Sequence, residues 1–254
     1  MRALLLAAGQ GTRLRPLTWS MPKCLVPLGG RALLDYWFTL LFAAGVDRVL
    51  VNTSYLAGQV RDHVTACQWR DRVDLVHEEE LLGTGGTVLA NRHYFGSGAF
   101  MVIHADNLTD CSIPGLLAAH RSRPQGCAMT MLAFRTDQPQ LCGILELDRQ
   151  GIVRAFHEKQ ESPPGNLANA AVYVFEPEVA DFIAGLGRAV VDLSTEIIPA
   201  FLGRIFAAEH TGYHRDIGNL ASLEQARRDI AGGILVGGEG KATFCEQKVA
   251  KKLC

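Results

Sequence analysis

The sequence predicts an α/β fold: a doubly wound, mixed and mainly parallel sheet that passes into a strand-rich second half. Two observations carry that expectation. Short apolar runs alternate with helix-period segments through the first half, the pattern of parallel strands joined by crossover helices. The second half holds closely spaced strand runs, two of them hinged as a hairpin at Asp148-Arg149-Gln150-Gly151. With 254 residues and 48% hydrophobic content, the chain can build a large core. Burial of its unfolded surface would be on the order of 70 to 75%, and one globular domain is the simplest count.

In chain order, residues 2–7 read as the first strand. Leu33, Leu34, Trp37, Phe38, Leu41 and Phe42 form one apolar helical face that Gly45 terminates, and Arg48 to Asn52 supplies the next strand. A helix at 57–69, a strand at 73–77, a helix at 85–92 and a strand at 100–104 continue the alternation. Strands then follow at 128–134, 144–147, 153–157 and 170–175, with helices at 177–186 and 219–230. Asp192-Leu193-Ser194-Thr195-Glu196 reads as a helix start with several candidate caps. Residues 1–231 are taken as one domain. From Gly232 the composition turns to glycine and then to Lys248, Lys251 and Lys252, so residues 232–254 read as a mobile or loosely docked tail.

Charge narrows the ligand class. Twenty-five Lys and Arg against 26 Asp and Glu leave a net charge of -1, which gives no general attraction to nucleic acid or to an anionic membrane. No apolar stretch approaches the roughly 20 residues of a membrane span. Met1-Arg2 followed by an apolar run imitates a signal peptide, but the run is short and leads into Arg13 and Arg15. Seven cysteines without a C-x-x-C pair suggest reduced thiols and a cytoplasmic location.

The chemistry concentrates after the first strand. Leu4 to Ala8 empties into Gly9-Gln10-Gly11-Thr12-Arg13, and Pro22-Lys23 follows. Glycines bring unobstructed N–H groups close to an anion, while Arg13 and Lys23 add mobile positive charge, so a nucleoside triphosphate is the leading ligand. The G-x-x-x-x-G-K-[ST] loop is absent, and Leu14 stands where a dinucleotide fingerprint needs its third glycine. Pro16 and Pro22 make the segment read as an extended arm.

These residues resemble the sugar-phosphate nucleotidylyltransferases, whose opening signature is L-A-x-G-x-G-T-R-L-x-P-L-T followed by P-K. The chain has Leu6 to Thr18 in that pattern, then Pro22-Lys23, with Cys24 as a mild departure. Further resemblances fall in family order at Leu82 to Gly86, His104 to Asn107, Glu158-Lys159, Asn169 to Tyr173 and Arg215 to Gly218, covering about the first 230 residues. The resemblance implies a Rossmann-like fold of the nucleotide-diphospho-sugar transferase type, with the later strands flooring an acceptor pocket. It also implies transfer of a nucleotidyl group from a triphosphate to a sugar 1-phosphate, with release of pyrophosphate.

Both reactants are anionic, so cations and Mg²⁺ matter more than a nucleophilic side chain. The resemblance assigns Ala7, Ala8, Gly9, Gln10, Gly11, Thr12, Arg13 and Lys23 to the nucleotide. Arg13 would grip the β and γ phosphates and Lys23 the α phosphate. Asp106 follows an apolar strand and so reaches the carboxyl edge of the sheet, where ligands of open α/β sheets gather. By itself such an aspartate is more often a turn or cap residue; the resemblance makes Asp106 and Asp216 the Mg²⁺ ligands and Arg13, Lys23 and Asp106 the catalytic group. Lys159 would hold the sugar phosphate, Glu158 the sugar hydroxyls, and Asn107, Gly143 and Asn169 would line the sugar pocket. Gln160 stands where relatives commonly have proline.

Base choice falls to Glu78, Gly83 and Thr84. A carboxylate suits the two neighbouring donors of guanine, which favours GTP, and Gly83 would permit close approach of the base. A solvated charge run is the alternative, and some uridylyl-transferring relatives also carry Glu here. UTP, dTTP or CTP in place of GTP, a nucleotide-sugar sensor without turnover and, more distantly, a dinucleotide oxidoreductase remain as rivals. The expected partners are the two small substrates, with no nucleic acid and no membrane, for a monomer or homodimer.

Overall fold

The computed structural model describes residues 1–234. Its first half runs β1 (Arg2–Leu6), β2 (Pro27–Leu28), β3 (Arg31–Ala32), α1 (Leu33–Ala43), β4 (Arg48–Thr53), α2 (Ala57–Ala66), β5 (Val73–His77), α3 (Gly83–Ala90), α4 (Arg92–Phe95) and β6 (Phe100–His104). The second half runs β7 (Asn107–Thr109), α5 (Ile113–Arg121), β8 (Met129–Arg135), β9 (Gly143–Leu147), β10 (Val153–Glu158), β11 (Leu167–Phe175), α6 (Pro177–Gly185), α7 (Ile198–Ala200), β12 (Ile205–His210), β13 (His214–Asp216) and α8 (Leu220–Ala231).

Nine strands form one sheet in the order β10-β9-β11-β6-β1-β4-β5, with β8 beside β11 and β12 beside β8. The strands β6, β1, β4 and β5 are parallel, with Leu4 of β1 paired to Leu50 on one side and Val102 on the other. β11 runs antiparallel to β6, β8 and β9, whereas β12 joins β8 in parallel. The expected parallel sheet thus makes up the first half, and the strand-rich second half is largely antiparallel.

Side-chain alternation along β1 divides the core into two layers. Ala3 and Leu5 pack with Trp37, Phe38 and Val60 from α1 and α2, whereas Leu4 packs with Val88, Ile183 and Ile197 on the other face. Burial of both faces is what double winding means physically. Full burial of a side chain such as Phe38 stabilises by about 1.5 to 3 kcal/mol. α1 ends as its sequence suggests: Gly45 takes φ +79°, its N–H donates to Phe42 O at 3.2 Å, and Val46 N donates to Leu41 O at 3.1 Å.

Several boundaries differ from expectation. The helix foreseen at 57–69 stops at Ala66, and that at 85–92 breaks at Asn91. β11 begins at Leu167 because a bulge at Ala171, with φ +53°, interrupts the two-residue period that would have revealed it; Asn169 still pairs with Ala133 and Tyr173 with Met131. α5 was hidden by Pro114 and Gly115 in its first turn, where Ser112 Oγ accepts from Gly115 N at 3.1 Å. The supposed extended arm is instead a chain of tight turns at Thr12–Leu14, Leu17–Trp19 and Lys23–Leu25. α8 closes with Gly232 N donating to Arg228 O at 2.9 Å, and the expected tail lies, from residue 235, outside the described residues.

Candidate active site

The loop after β1 leaves the carboxyl edge of the parallel strands and turns at Gly11, where φ is +61°. Thr18 Oγ1 donates to Gly11 O at 2.8 Å, which folds residues 12–22 back so that Lys23 returns to the loop. Ala7, Ala8, Gly9, Lys23 and Asp106 line a cleft of about 230 Å³, with Glu78, Gly83 and Thr84 on its other wall. Gln10, Thr12 and Arg13 stand exposed at the rim, beyond the cleft lining, and Gly11 is half-buried beneath them. The Ala7 N–H is already engaged, donating to Asn52 Oδ1 at 2.7 Å.

Asp106 and Asp216 meet through secondary structure. Asp106 follows β6, and β13 pairs with β7 so that Asp216 lies opposite Asn107. Ile217 N then donates to Asp106 O at 2.9 Å. Lys23 Nζ lies between the two carboxylates, donating to Asp106 Oδ2 at 2.6 Å and standing 3.6 Å from Asp216 Oδ1. The Asp216 carboxyl stands above its usual range, pushed up by the protein that displaces water around it and by Asp106, against the pull of Lys23 and Arg13, although its side chain keeps 49% exposure. Burial pushes Asp106 the same way, but the charges of Lys23 and His104 and the Lys23 hydrogen bond hold it below the usual range.

The pair fits Mg²⁺. Two hard carboxylates sit beside the cleft and repel each other, which is the situation a divalent cation relieves. Gly218 makes the arrangement possible, since a Cβ there would stand 2.7 Å from Asp216 Oδ2 and 3.2 Å from Arg13 Nη2. Among the described residues no three His, Cys, Asp or Glu side chains form a ready-made metal cluster, so phosphate oxygens and water would have to complete the shell. Cys24 also lines the cleft, but burial raises its thiol to about 12, which keeps it protonated and unsuited to nucleophilic attack at neutral pH.

Gly83 also has a packing role that its sequence context does not announce. Its backbone lines the cleft at φ +73°, and a Cβ there would lie 2.5 Å from Val191 O, so the missing side chain also makes room for another chain segment. Gly85 N and Gly86 N both donate to Val191 O, at 2.9 and 3.0 Å, and a Cβ on Gly86 would overlap Ala189 O. Thr84 Oγ1 donates to Asp192 Oδ2 at 3.1 Å and accepts from Leu193 N at 2.7 Å. The glycine-rich run is therefore a seat for residues 189–193, and Asp192 then caps the next turn through Thr195 N at 2.9 Å.

The sugar-side residues lie on the antiparallel half. Glu158 ends β10, and Lys159 follows at φ +46° with Nζ 3.0 Å from Glu158 Oε1. Gly143 is buried, and the space a Cβ would need is taken by the Phe156 ring and Glu158 Oε2, so the missing side chain makes room for these two. Asn169 Nδ2 donates to Tyr173 OH at 2.7 Å, and its Oδ1 accepts from Ala171 N at 2.9 Å. Asn107 is buried and braces the site, its Nδ2 donating to Ala170 O at 3.1 Å.

Sequence reasoning gave no role to Asn52 or Thr87 and reached His104 only as part of the His104 to Asn107 resemblance; all three line the cleft. Asn52 lies near the carboxyl end of β4 and His104 ends β6, the same location that singled out Asp106, so the sheet-edge rule could have found both. The buried His104 Nε2 has no hydrogen-bond partner among the described residues.

A glycine loop, a lysine and two carboxylates thus converge at the carboxyl edge of an open α/β sheet, where ligands of such sheets gather. The nucleotidyl transferase family model matches residues 2–233, and the chain belongs to that family. The mannose-1-phosphate guanylyltransferase of Mycobacterium tuberculosis is 33% identical over 91% of this chain and 65% of its own length. The mannose-1-phosphate guanylyltransferase catalytic subunit beta of Xenopus tropicalis is 31% identical over 86% of this chain and 61% of its own length. This chain thus spans somewhat under two thirds of those relatives. The crystal structure of HddC from Yersinia pseudotuberculosis complexed with GMP-PN superposes with TM-score 0.75 at 25% identity, covering 90% of this chain and 99% of that one. A candidate glucose-1-phosphate thymidylyltransferase from Bacillus anthracis shares the fold, with TM-score 0.83 over 95% of this chain and 98% of that one at 21% identity.

Proposed function

We propose that this chain is a sugar-1-phosphate nucleotidylyltransferase that joins GTP to a hexose- or heptose-type sugar 1-phosphate, giving a GDP-sugar and pyrophosphate. The observation that carries the reading is the convergence of Lys23, Asp106 and Asp216 beside the loop after β1. Attack by a sugar-phosphate oxygen on the α-phosphorus brings two anions together, so the protein must neutralise charge and hold geometry. Lys23 would lie against the α phosphate. Arg13, exposed at the rim and adjoining Asp216 across Gly218, would hold the β and γ phosphates by its planar fork and stabilise the leaving pyrophosphate. Mg²⁺ bound by Asp106 and Asp216 would supply further positive charge at the phosphoryl oxygens. Lys159 and Glu158 would receive the acceptor on the antiparallel side.

The carboxylate of Glu78 on the cleft wall supports guanine, as do the guanylyltransferases among the relatives. Residues 1–231 would suffice for the chemistry, with 232–254 as an appended tail. Among the described residues no helix is long and apolar enough to cross a membrane. The buried free thiols of Cys24, Cys111 and Cys127 suit a reducing compartment, and we place the protein in the cytoplasm as a monomer or homodimer whose partners are its two substrates.

The test is pyrophosphate release with Mg²⁺, each of GTP, UTP, dTTP, CTP and ATP being offered with a panel of sugar 1-phosphates. Release that needs both substrates and is fastest with GTP is expected. Nucleotide binding by thermal shift without release under any pairing would leave the sensor reading in its place.

A further inference from the structure

Glu78 is 6% exposed, and its two oxygens are treated very differently. Oε1 accepts from Thr87 Oγ1 at 2.6 Å and from Asn52 Nδ2 at 3.0 Å. Oε2 has only a long contact, 3.4 Å, from Leu82 N. A carboxylate can accept about four hydrogen bonds, so Oε2 is the under-satisfied half of a buried charge on the cleft wall. Asn52, itself 3% exposed, also accepts from Ala7 N at 2.7 Å through Oδ1. Its amide orientation is therefore fixed, because turning it over would set N–H against N–H at Ala7 and oxygen against oxygen at Glu78.

We infer that Asn52 is a specificity-determining positioning residue: with Thr87 it occupies Oε1 of Glu78, so that a single oriented oxygen, Oε2, is presented to the adjacent N1–H and exocyclic amine of guanine. This rests on the proposed guanylyl transfer. Without those donors the carboxylate is free to rotate within the cleft, and its alignment with a two-donor edge is lost. A pyrimidine with a single ring N–H depends less on that alignment. Asn52 also joins the base wall to the phosphate loop at Ala7, and that second bond serves every triphosphate alike.

The experiment compares kcat/KM for GTP and UTP, at saturating sugar 1-phosphate, in the wild type and in Asn52→Leu, Thr87→Val and Thr87→Ser. Asn52→Leu loses both bonds, whereas Thr87→Val perturbs Glu78 and leaves the Ala7 bond intact. The expected result is a GTP-to-UTP ratio lowered about 10- to 100-fold in Asn52→Leu and in Thr87→Val, and a ratio close to wild type in Thr87→Ser, which keeps the hydroxyl. A merely structural role would lower both substrates together and leave the ratio in place. Wild-type GTP preference with an unchanged ratio in folded Thr87→Val overturns this inference alone. A wild type without GTP preference overturns the base assignment on which it rests.

Discussion

Replacing Gly218 by alanine adds one methyl group at the point where the site's charges come closest. The new Cβ would stand 2.7 Å from Asp216 Oδ2, about 0.7 Å inside ordinary van der Waals contact, and 3.2 Å from Arg13 Nη2. Gly218 does not use the left-handed backbone that only glycine adopts easily, so the substitution brings no backbone strain. Both neighbours are side-chain ends; Asp216 retains 49% side-chain exposure and can swing away, which keeps the folding cost toward the low end of overpacking, near 1 kcal/mol. Catalysis is less forgiving, because a shift approaching 1 Å in a carboxylate proposed to hold the metal is worth on the order of 100-fold in rate. Steady-state pyrophosphate release should show kcat down about 10- to 100-fold and a higher Mg²⁺ requirement, with a thermal midpoint within about 4 °C of wild type. Wild-type kcat at wild-type Mg²⁺ in a folded Gly218→Ala protein would refute the placement of Asp216 at the reacting phosphates.

Other outcomes follow from the same geometry. Asp106→Ala should abolish turnover while circular dichroism reports an intact fold, since Asp106 sits at the cleft and not in either core layer; retained turnover would remove it from the metal pair. Gly86→Ala should destabilise by about 1 to 3 kcal/mol in urea melts, because its Cβ overlaps Ala189 O, and no loss would contradict the seat for residues 189–193. His120 is held below its ordinary range by burial and by Arg123 and Arg121, against the pull of Glu176. A depressed folded value means that the stability from neutral His120 is present above about pH 6.5 and lost as pH falls below it. Thermal midpoints should therefore drop as pH falls below about 6.5, and His120→Gln should flatten that slope. His63 has the opposite sign: its hydrogen bond to Asp35 at 2.8 Å raises it, so that contribution is full below about pH 6.5 and fades above.

What the sequence reveals and what it conceals divide along a physical line. The parallel half is legible because β1, β4 and β6 are buried on both faces and α1 shows one apolar face, so local periodicity reports tertiary position. Lys23 and Asp106 are legible for a related reason, since the motif or strand just before each one says where its side chain emerges. β13 is three residues long and has no period to read, so Asp216 comes only from the family resemblance. The glycines at 83, 85 and 86 are conspicuous in sequence, yet their reason lies at residues 189–191, a hundred positions away, where no local pattern points. Asn52 was passed over because a polar residue closing an apolar strand looks unremarkable until Glu78 and Ala7 are seen beside it.

In the proposed reaction a sugar-phosphate oxygen attacks the α-phosphorus of the triphosphate beside Lys23, Asp106 and Asp216. A sugar 1-phosphate carrying ¹⁸O in its non-bridging phosphate oxygens, turned over with GTP and Mg²⁺ and followed by ³¹P NMR, reports that bond directly. Label should be retained in the diphosphate of the GDP-sugar and absent from pyrophosphate. Label in the released pyrophosphate, or a labelled sugar phosphate left unchanged while pyrophosphate forms, would contradict the proposed reaction.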